Sequence, residues 1–441
     1  MKRRLKKSVK IGLVIFIIVV VLSICMLVLF SNGNKNKVSA RNVKKIDLVS
    51  VISSKLKEYD IDTSFIKWVD TNYNGSLKKL DRLLENRDYD NSMWHEVTNN
   101  SYIVLKDLYN KTYDNMDNVK IIDSKDTSTI SFVGDVSLAD NWFIAPYYDF
   151  RGGIDGILGS KMLDIMTSSD IMIANSEFTV SSRGYALPNK MYTFKASKER
   201  LPIYNEMGVD MVTLANNHVY DYGLDAFNDM LDAFDEYNIP HIGAGHNIDE
   251  AKAPYYFIIN GYKIAFVSAT RAEKNIMTPG ATVDGGGVFR CYDPTDMINL
   301  IKELRNISDY VIPIIHFGRE NSHELENEQV SSAHDYIDAG ADMVVGHHAH
   351  TLQGVEIYND KPIIYNLGNF LFNNETIDTA LFKANLNKDG TMEYYIIPAL
   401  QKDSKTEVLE GDDKKRVIND INSWSINAFL DENGKIIKEE L

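Results

Sequence analysis

The sequence predicts an α/β protein with a second sheet of antiparallel strands, set behind one membrane-spanning helix and a small helical region. Three observations carry this expectation. From residue 127 onward, strand-like apolar runs alternate with amphipathic stretches of helical length. After Gln353 strand-like runs follow one another with no helical stretch between them. Near the N-terminus, Ile11 to Phe30 is an uncharged run of about 20 residues, long enough to cross the hydrocarbon of a bilayer.

The N-terminal elements follow from charge and hydropathy. Lys2, Arg3, Arg4, Lys6, Lys7 and Lys10 form a basic tail over 1–10, ahead of the apolar run at 11–30. Positive flanks stay in the cytoplasm, so the body is expected on the extracytoplasmic side of the cell membrane. The run is built of bulky Ile, Val and Leu and lacks a small-residue cleavage site, which favours an uncleaved signal anchor. Residues 31–42 read as a polar linker. Residues 43–126 read as a helical stalk or cap, with Ile46, Val49, Ile52 and Leu56 at helical spacing and Trp68, Trp94 and Tyr102 to pack it.

The body is expected over 127–441. The whole chain carries a formal charge of −15, yet its first 45 residues hold eleven Lys or Arg and no carboxylate, so the body is more acidic still. Such a surface does not favour nucleic acid. The hydrophobic share of 44% is that of a folded body. Cys25 lies in the apolar run and Cys291 is alone in the body, so no disulfide joins the body to itself, and Cys291 reads as a buried small hydrophobe.

Five strand-like runs organise that body: Ile130–Val133, Ile171–Ala174, Met211–Ala215, Val311–Ile315 and Met343–Val345. Helical stretches fall at 224–237, 294–305 and 325–338. Later strands are expected at 353–358, 361–365, 379–385 and 392–398, with Asn359-Asp360 as a hairpin turn. Each of the first five runs ends in residues of metal-ligand type. Open α/β sheets bind ligands beyond the carboxyl ends of their strands, so these ends should converge. Asp135, Glu177, Asn217, His316, His348 and His350 make a mixed nitrogen and oxygen set suited to one or two divalent ions such as Mn, Fe or Zn. Taken singly, Asp135 reads as a turn residue and His218 as a structural histidine. His348 and His350 differ, because two positions apart on an extended segment they would face one site.

The order of motifs adds a family resemblance. Gly134-Asp135-Val136, Asn175-Ser176-Glu177, Asn216-Asn217-His218-Val-Tyr-Asp221 and His316-Phe-Gly-Arg-Glu320 are followed by Gly346-His-His-Ala-His350-Thr-Leu-Gln353 and Asn366-Leu-Gly-Asn-Phe370. Over about residues 128–400 the chain resembles the CapA/PgsA family of capsule and poly-gamma-glutamate biosynthesis proteins. The resemblance implies a calcineurin-like metallophosphoesterase-type fold, a two-sheet αββα sandwich. It departs from the family at Asp140, which replaces a basic residue, and at Ser176, Phe317 and Ala349, none of which removes a ligand-type side chain. Relative to calcineurin-type enzymes the first loop lacks Asp-x-His, with Ser131 and Val133 in those places, so the resemblance implies either a weaker metal position or Glu177 and Glu320 as ligands instead.

By this resemblance His218 is the expected general acid, with Asp221 holding its tautomer and Glu320 as a ligand or as the group orienting His316. Arg183, Lys190, Arg271 and Arg319 are candidate contacts for an anionic substrate. The expected function is that of a metal-dependent hydrolase or transferase acting on an anionic cell-surface polymer or its attachment. The other reading is a non-catalytic polymer-binding or export subunit that works with a polymer synthase.

Overall fold

Side-chain direction along two strands sets the layers of the protein. In Tyr262–Thr270, Ile264 and Phe266 enter one apolar cluster while Ala265, Val267 and Ala269 enter another. In Thr127–Val136, Ile130 and Phe132 share the first of those clusters, and Val133 and Val136 belong to a third. Two sheets therefore meet through one shared core, in which the Phe132 ring lies 6.4 Å from Phe266 of the opposite sheet and 5.6 Å from Phe382 of its own. This computed structural model describes residues 118–122, 125–259, 262–273 and 277–439.

In chain order the strands of the two sheets are β1 (Val119–Ile122), β2 (Thr127–Val136), β3 (Ile171–Ser176), β4 (Met211–Thr213), β5 (His241–Ile242), β6 (Tyr255–Ile259), β7 (Tyr262–Thr270) and β8 (Tyr310–His316). They continue as β9 (Val344–His347), β10 (Val355–Tyr358), β11 (Lys361–Ile364), β12 (Asn369–Leu371), β13 (Ile377–Asn387), β14 (Met392–Lys402) and β15 (Lys405–Val408). One sheet runs β15-β14-β13-β2-β3-β4-β5, with β12 also paired to β2. The other runs β1-β6-β7-β8-β9-β11-β10. Helices Ile144–Arg151, Ser160–Thr167 and Leu224–Glu236 pack on the outer face of the first sheet through residues such as Ile144, Met162, Phe227 and Phe234. Helices Thr295–Arg305 and Asn327–Asp338 cover the second through Met297, Ile301, Ala333 and Tyr336. The layers are thus helix, sheet, sheet, helix.

Within the body the expected strands and helices are present, but their assignment to sheets is corrected. The five ligand-bearing strands do not share one sheet. β2, β3 and β4 lie in the first, and β8 and β9 in the second. The later strands do not form a sheet of their own either. The hairpin β10–β11 joins the second sheet, with Asn359 and Asp360 at φ 49° and 61° in its turn, while β13 and β14 extend the first. Local pattern specifies a strand but not its neighbour, and both sheets come out mixed.

The strand β1 joins the second sheet ahead of residue 127, where the body was expected to begin. The basic tail, the anchor at 11–30, the linker and the stalk up to residue 117 lie outside the described residues. Among the described residues no helix is long and apolar enough to cross a membrane. Cys291 is buried as expected, and burial pushes its thiol up to about 11.

Candidate metal centre

Register places polar residues side by side at one end of each sheet. Asp135 of β2 stands opposite Asn175 of β3, and Asn175 opposite Thr213 of β4. In the second sheet Thr270, His316 and His347 line up across β7, β8 and β9. Between Phe132 and Asp135, β2 carries one residue more than β3. This bulge re-aims the strand end just before Asp135, a usual role for bulges beside functional sites. Gly134 permits it: a Cβ there would lie 1.9 Å from the carbonyl oxygen of Gly368. The same carbonyl accepts the Asp135 amide at 2.9 Å.

The expected ligands Asp135, Glu177, Asn217, His316, His348 and His350 are brought together. Asn175 Nδ2 reaches Asp135 Oδ1 at 2.8 Å, Glu177 Oε2 at 3.1 Å and His316 Nδ1 at 3.4 Å. His316 Nε2 lies 2.8 Å from Asn217 Oδ1. His350 Nδ1 is 3.2 Å from Asp135 Oδ2 and 2.8 Å from Asn369 Oδ1. The His316 and His348 rings are 4.6 Å apart, and those of His348 and His350 6.0 Å.

His348 and His350 do converge, but not by strand alternation. β9 ends at His347, and both residues adopt left-handed backbone, with φ 98° and 56°. Such conformations in residues other than glycine cost about 1–3 kcal/mol each and cluster at functional sites. His347 faces elsewhere. Its Nε2 donates to the Val133 carbonyl at 3.0 Å, tying the second sheet to the first.

Electrostatics at the centre is set by burial. Asp135 and Glu177 are fully buried, and Asn217, His316 and His348 nearly so. Burial would push Asp135 up, but the His350 hydrogen bond and charge, with His347 and Asn175, outweigh it and hold the carboxyl at about 2. Glu177 accepts the Asn175 amide but is crowded by other carboxylates. Burial and the charges of Asp135 and Glu320 push it well above the usual carboxylate range. His316 is held well below the usual histidine range by burial and by His348, His347 and His350. His348 is lowered to about 3 by burial and then by His350. Burial opposes the charged form of His350, but the Asp135 hydrogen bond and charge raise it overall.

A divalent ion fits this arrangement. Glu177 Oε1 is buried and has no hydrogen bond. It faces three imidazole nitrogens, with Nε2 of His316 at 3.6 Å, of His350 at 3.7 Å and of His218 at 4.0 Å. Ligand atoms about 2.1 Å from one ion stand about 3.0–3.5 Å apart, so a small contraction of this cage would suffice. His348 Nδ1 is likewise buried without a partner. Two groups have donor atoms within 4.8 Å of one another, Glu177 with His348 and His350, and Asp135 with Glu177 and His316. Glu177 belongs to both.

Around this cage the expected auxiliary residues fare differently. Asp221 Oδ2 is 2.8 Å from His218 Nδ1, the geometry of a held tautomer. Glu320 is exposed at the rim, close enough to raise Glu177 and His350 by its charge. Among the described residues it makes no hydrogen bond or ion pair with His316, whose orientation comes from Asn175 and Asn217 instead. Of the candidate substrate cations, Arg183 is engaged by Asp229 and Lys190 by Asp221 and Glu273. Arg271 lies over the Tyr292 ring. Asp140 pairs with Arg200, which Asp149 also holds.

Asn175 and Asn369 are central here and were not among the expected site residues. A signal for Asn175 was present, since two residues before Glu177 on a strand it shares that side chain's face. Asn369 lies in the Asn366-Leu-Gly-Asn-Phe370 motif, but nothing in that motif ties it to His350, which it reaches because β12 pairs with β2.

A family model described as bacterial capsule synthesis protein PGA_cap matches residues 129–374, a span holding every residue of the cage. The chain is 30% identical over 327 residues to the PGA biosynthesis protein CapA of Bacillus subtilis (strain 168), covering 71% of this chain and 82% of that protein. It is 31% identical over 263 residues to the capsule biosynthesis protein CapA of Bacillus anthracis, covering 57% of this chain and 63% of that one. Among solved structures, one of a novel phosphatase from Mycoplasma pneumoniae covers 63% of this chain and 95% of its own at 13% identity and a TM-score of 0.40, too loose a likeness to carry an argument.

Proposed function

The chain belongs to the PGA_cap family of bacterial capsule synthesis proteins, and from that premise we propose that it is a metal-dependent hydrolase or transferase of metallophosphoesterase type acting on the capsule polymer or its attachment. The observation that carries this reading is the buried, unbonded Glu177 oxygen facing three imidazole nitrogens. A scaffold has no use for such a cage, because an uncompensated buried carboxylate is costly. Asp135, Glu177, Asn217, His316, His348 and His350 would hold Mn, Fe or Zn, one or two ions. A bound ion of this kind supplies a deprotonated water near neutral pH and stabilises a developing oxyanion.

The chain's own residues then have separable roles. His218 presents Nε2 to the cage while Asp221 holds its Nδ1, which suits donation of a proton to a leaving group. Asn175 fixes Asp135, Glu177 and His316 relative to one another. The apolar run 11–30 would tether this body outside the membrane, beside the polymer and its synthase or export subunits.

Metal analysis of the full chain, with assays on phosphodiester and γ-glutamyl amide substrates, tests the proposal. One or two tightly bound ions are expected, with turnover that falls about 10²–10⁴-fold in His218→Ala while the metal is retained. Full turnover in that variant would remove the general-acid role. Bound metal without turnover on any substrate would favour a non-catalytic polymer-binding or export subunit.

A further inference from the structure

Lys190 lies on the segment between the helices Ser160–Thr167 and Leu224–Glu236, and its side chain is only 6% exposed. Its ammonium is 2.8 Å from Asp221 Oδ1 and 2.9 Å from Glu273 Oε2, and it donates to the backbone carbonyl of Asn217. An ammonium has three N–H donors; Asn217 and Glu273 accept hydrogen bonds from this one, and Asp221 Oδ1 faces it as an ion-pair partner. Two of those partners, Asn217 and Asp221, flank His218 in sequence. Asp221 holds the His218 ring through the other carboxylate oxygen, which also accepts the Phe194 amide at 2.8 Å. Asn217 extends its side-chain oxygen to His316. Thr278 braces the same point, donating to the Asn217 carbonyl at 3.0 Å or to Glu273 at 2.8 Å.

We propose that Lys190 is a positioning residue that holds Asn217 and His218 together against the metal cage. One cation fixes the carbonyl of the former and the carboxylate that orients the latter, and it separates Asp221 from Glu273, which would otherwise face each other as two carboxylates. Lys190 thereby contributes to the centre without touching substrate. The contrast lies on the same segment: Arg183 is more than half exposed and spends its charge on Asp229 at the surface of the helix Leu224–Glu236. The proposal rests on the reading of Asn217 as a ligand and His218 as proton donor.

The test uses the full chain with Zn²⁺ as the probe and compares Lys190→Met with Arg183→Met. Zn²⁺ affinity is measured against a competing chelator, and the His218 ring is followed by ¹⁵N NMR in the metal-free protein. Lys190→Met is expected to weaken Zn²⁺ about 10–100-fold, the usual effect of removing a group that orients a ligand, and to displace the His218 ring signal. Arg183→Met should change neither. Lys190→Cys alkylated with 2-bromoethylamine, which restores an ammonium at nearly the same reach, should recover both. Zn²⁺ affinity within twofold of wild type together with an unmoved His218 signal in Lys190→Met overturns the proposal. Should that variant not fold, the wild-type Lys190 ammonium decides: its protons are expected to be protected from exchange and to shift when Zn²⁺ is added, and an exchanging, unmoved ammonium overturns the proposal. If the wild type takes up no Zn²⁺, the reading of the centre fails, and the metal-free His218 signal still judges Lys190.

Discussion

Replacing Glu177 with Gln should move two properties in opposite directions. Glu177 is fully buried, its Oε1 has no hydrogen bond, and Asp135 is its close neighbour through the shared Asn175 amide. In the metal-free protein its carboxyl is displaced upward, so this group stabilises the fold below pH 4.5 and ceases to do so as pH rises through its folded-state value. At pH 7.5 the neutral amide removes that penalty. Leaving a buried polar group unsatisfied costs about 1–3 kcal/mol and a charged one more, so metal-free Glu177→Gln should be more stable than wild type by at least about 1 kcal/mol. Metal should then cease to help. In the wild type an ion at 100 times its dissociation constant adds about 2.7 kcal/mol, and the variant, lacking the carboxylate common to both ligand groups, should gain little of this. Thermal unfolding of both proteins at pH 7.5, with chelator and with Mn²⁺ or Zn²⁺, reads both effects. A variant less stable than wild type in chelator, or one that keeps the metal-induced shift, would refute the reasoning.

Three further outcomes follow from the same geometry. Phe132→Ala empties the contact between the sheets, with Phe266 and Phe382 as its neighbours, and should cost about 3–5 kcal/mol in urea unfolding; a loss under about 1 kcal/mol would mean that the shared core is misplaced. Gly134→Ala drives a methyl into the Gly368 carbonyl, so bound metal should fall sharply because Asp135 is displaced, and unchanged metal content would contradict the close crossing of β2 and β12. Protons compete with metal for His350 and Glu177, both shifted upward, so the metal-induced rise in melting temperature should shrink between pH 7.5 and pH 5.5, and a constant rise would argue against these two as ligands.

Much of the centre was legible because its residues end strands. Asp135, Glu177 and His316 follow apolar runs within three residues, and the rule that ligands bind beyond strand ends was enough to group them. What it could not show is that the ends belong to two sheets meeting face to face. Pairing is settled by which apolar faces bury one another, and β7 illustrates the limit: buried on both faces, it reads as a continuous apolar run that periodicity cannot assign. The His348-x-His350 pair was identified for a reason the fold does not use, since a turn of two left-handed residues, not an extended strand, turns both rings inward. Lys190 was legible only as a cation. Its burial between Asp221 and Glu273 depends on two loops far apart in sequence.

The central claim is that the chain holds a metal ion in the cage around Glu177. Elemental analysis of the full chain, purified without chelator and compared with Glu177→Gln and with the double variant His348→Ala, His350→Ala, tests it most directly. One or two equivalents of Mn, Fe or Zn in the wild type, lost in both variants, is the predicted result. Absence of stoichiometric metal from the wild type, with no uptake when each of these ions is supplied, would contradict the account.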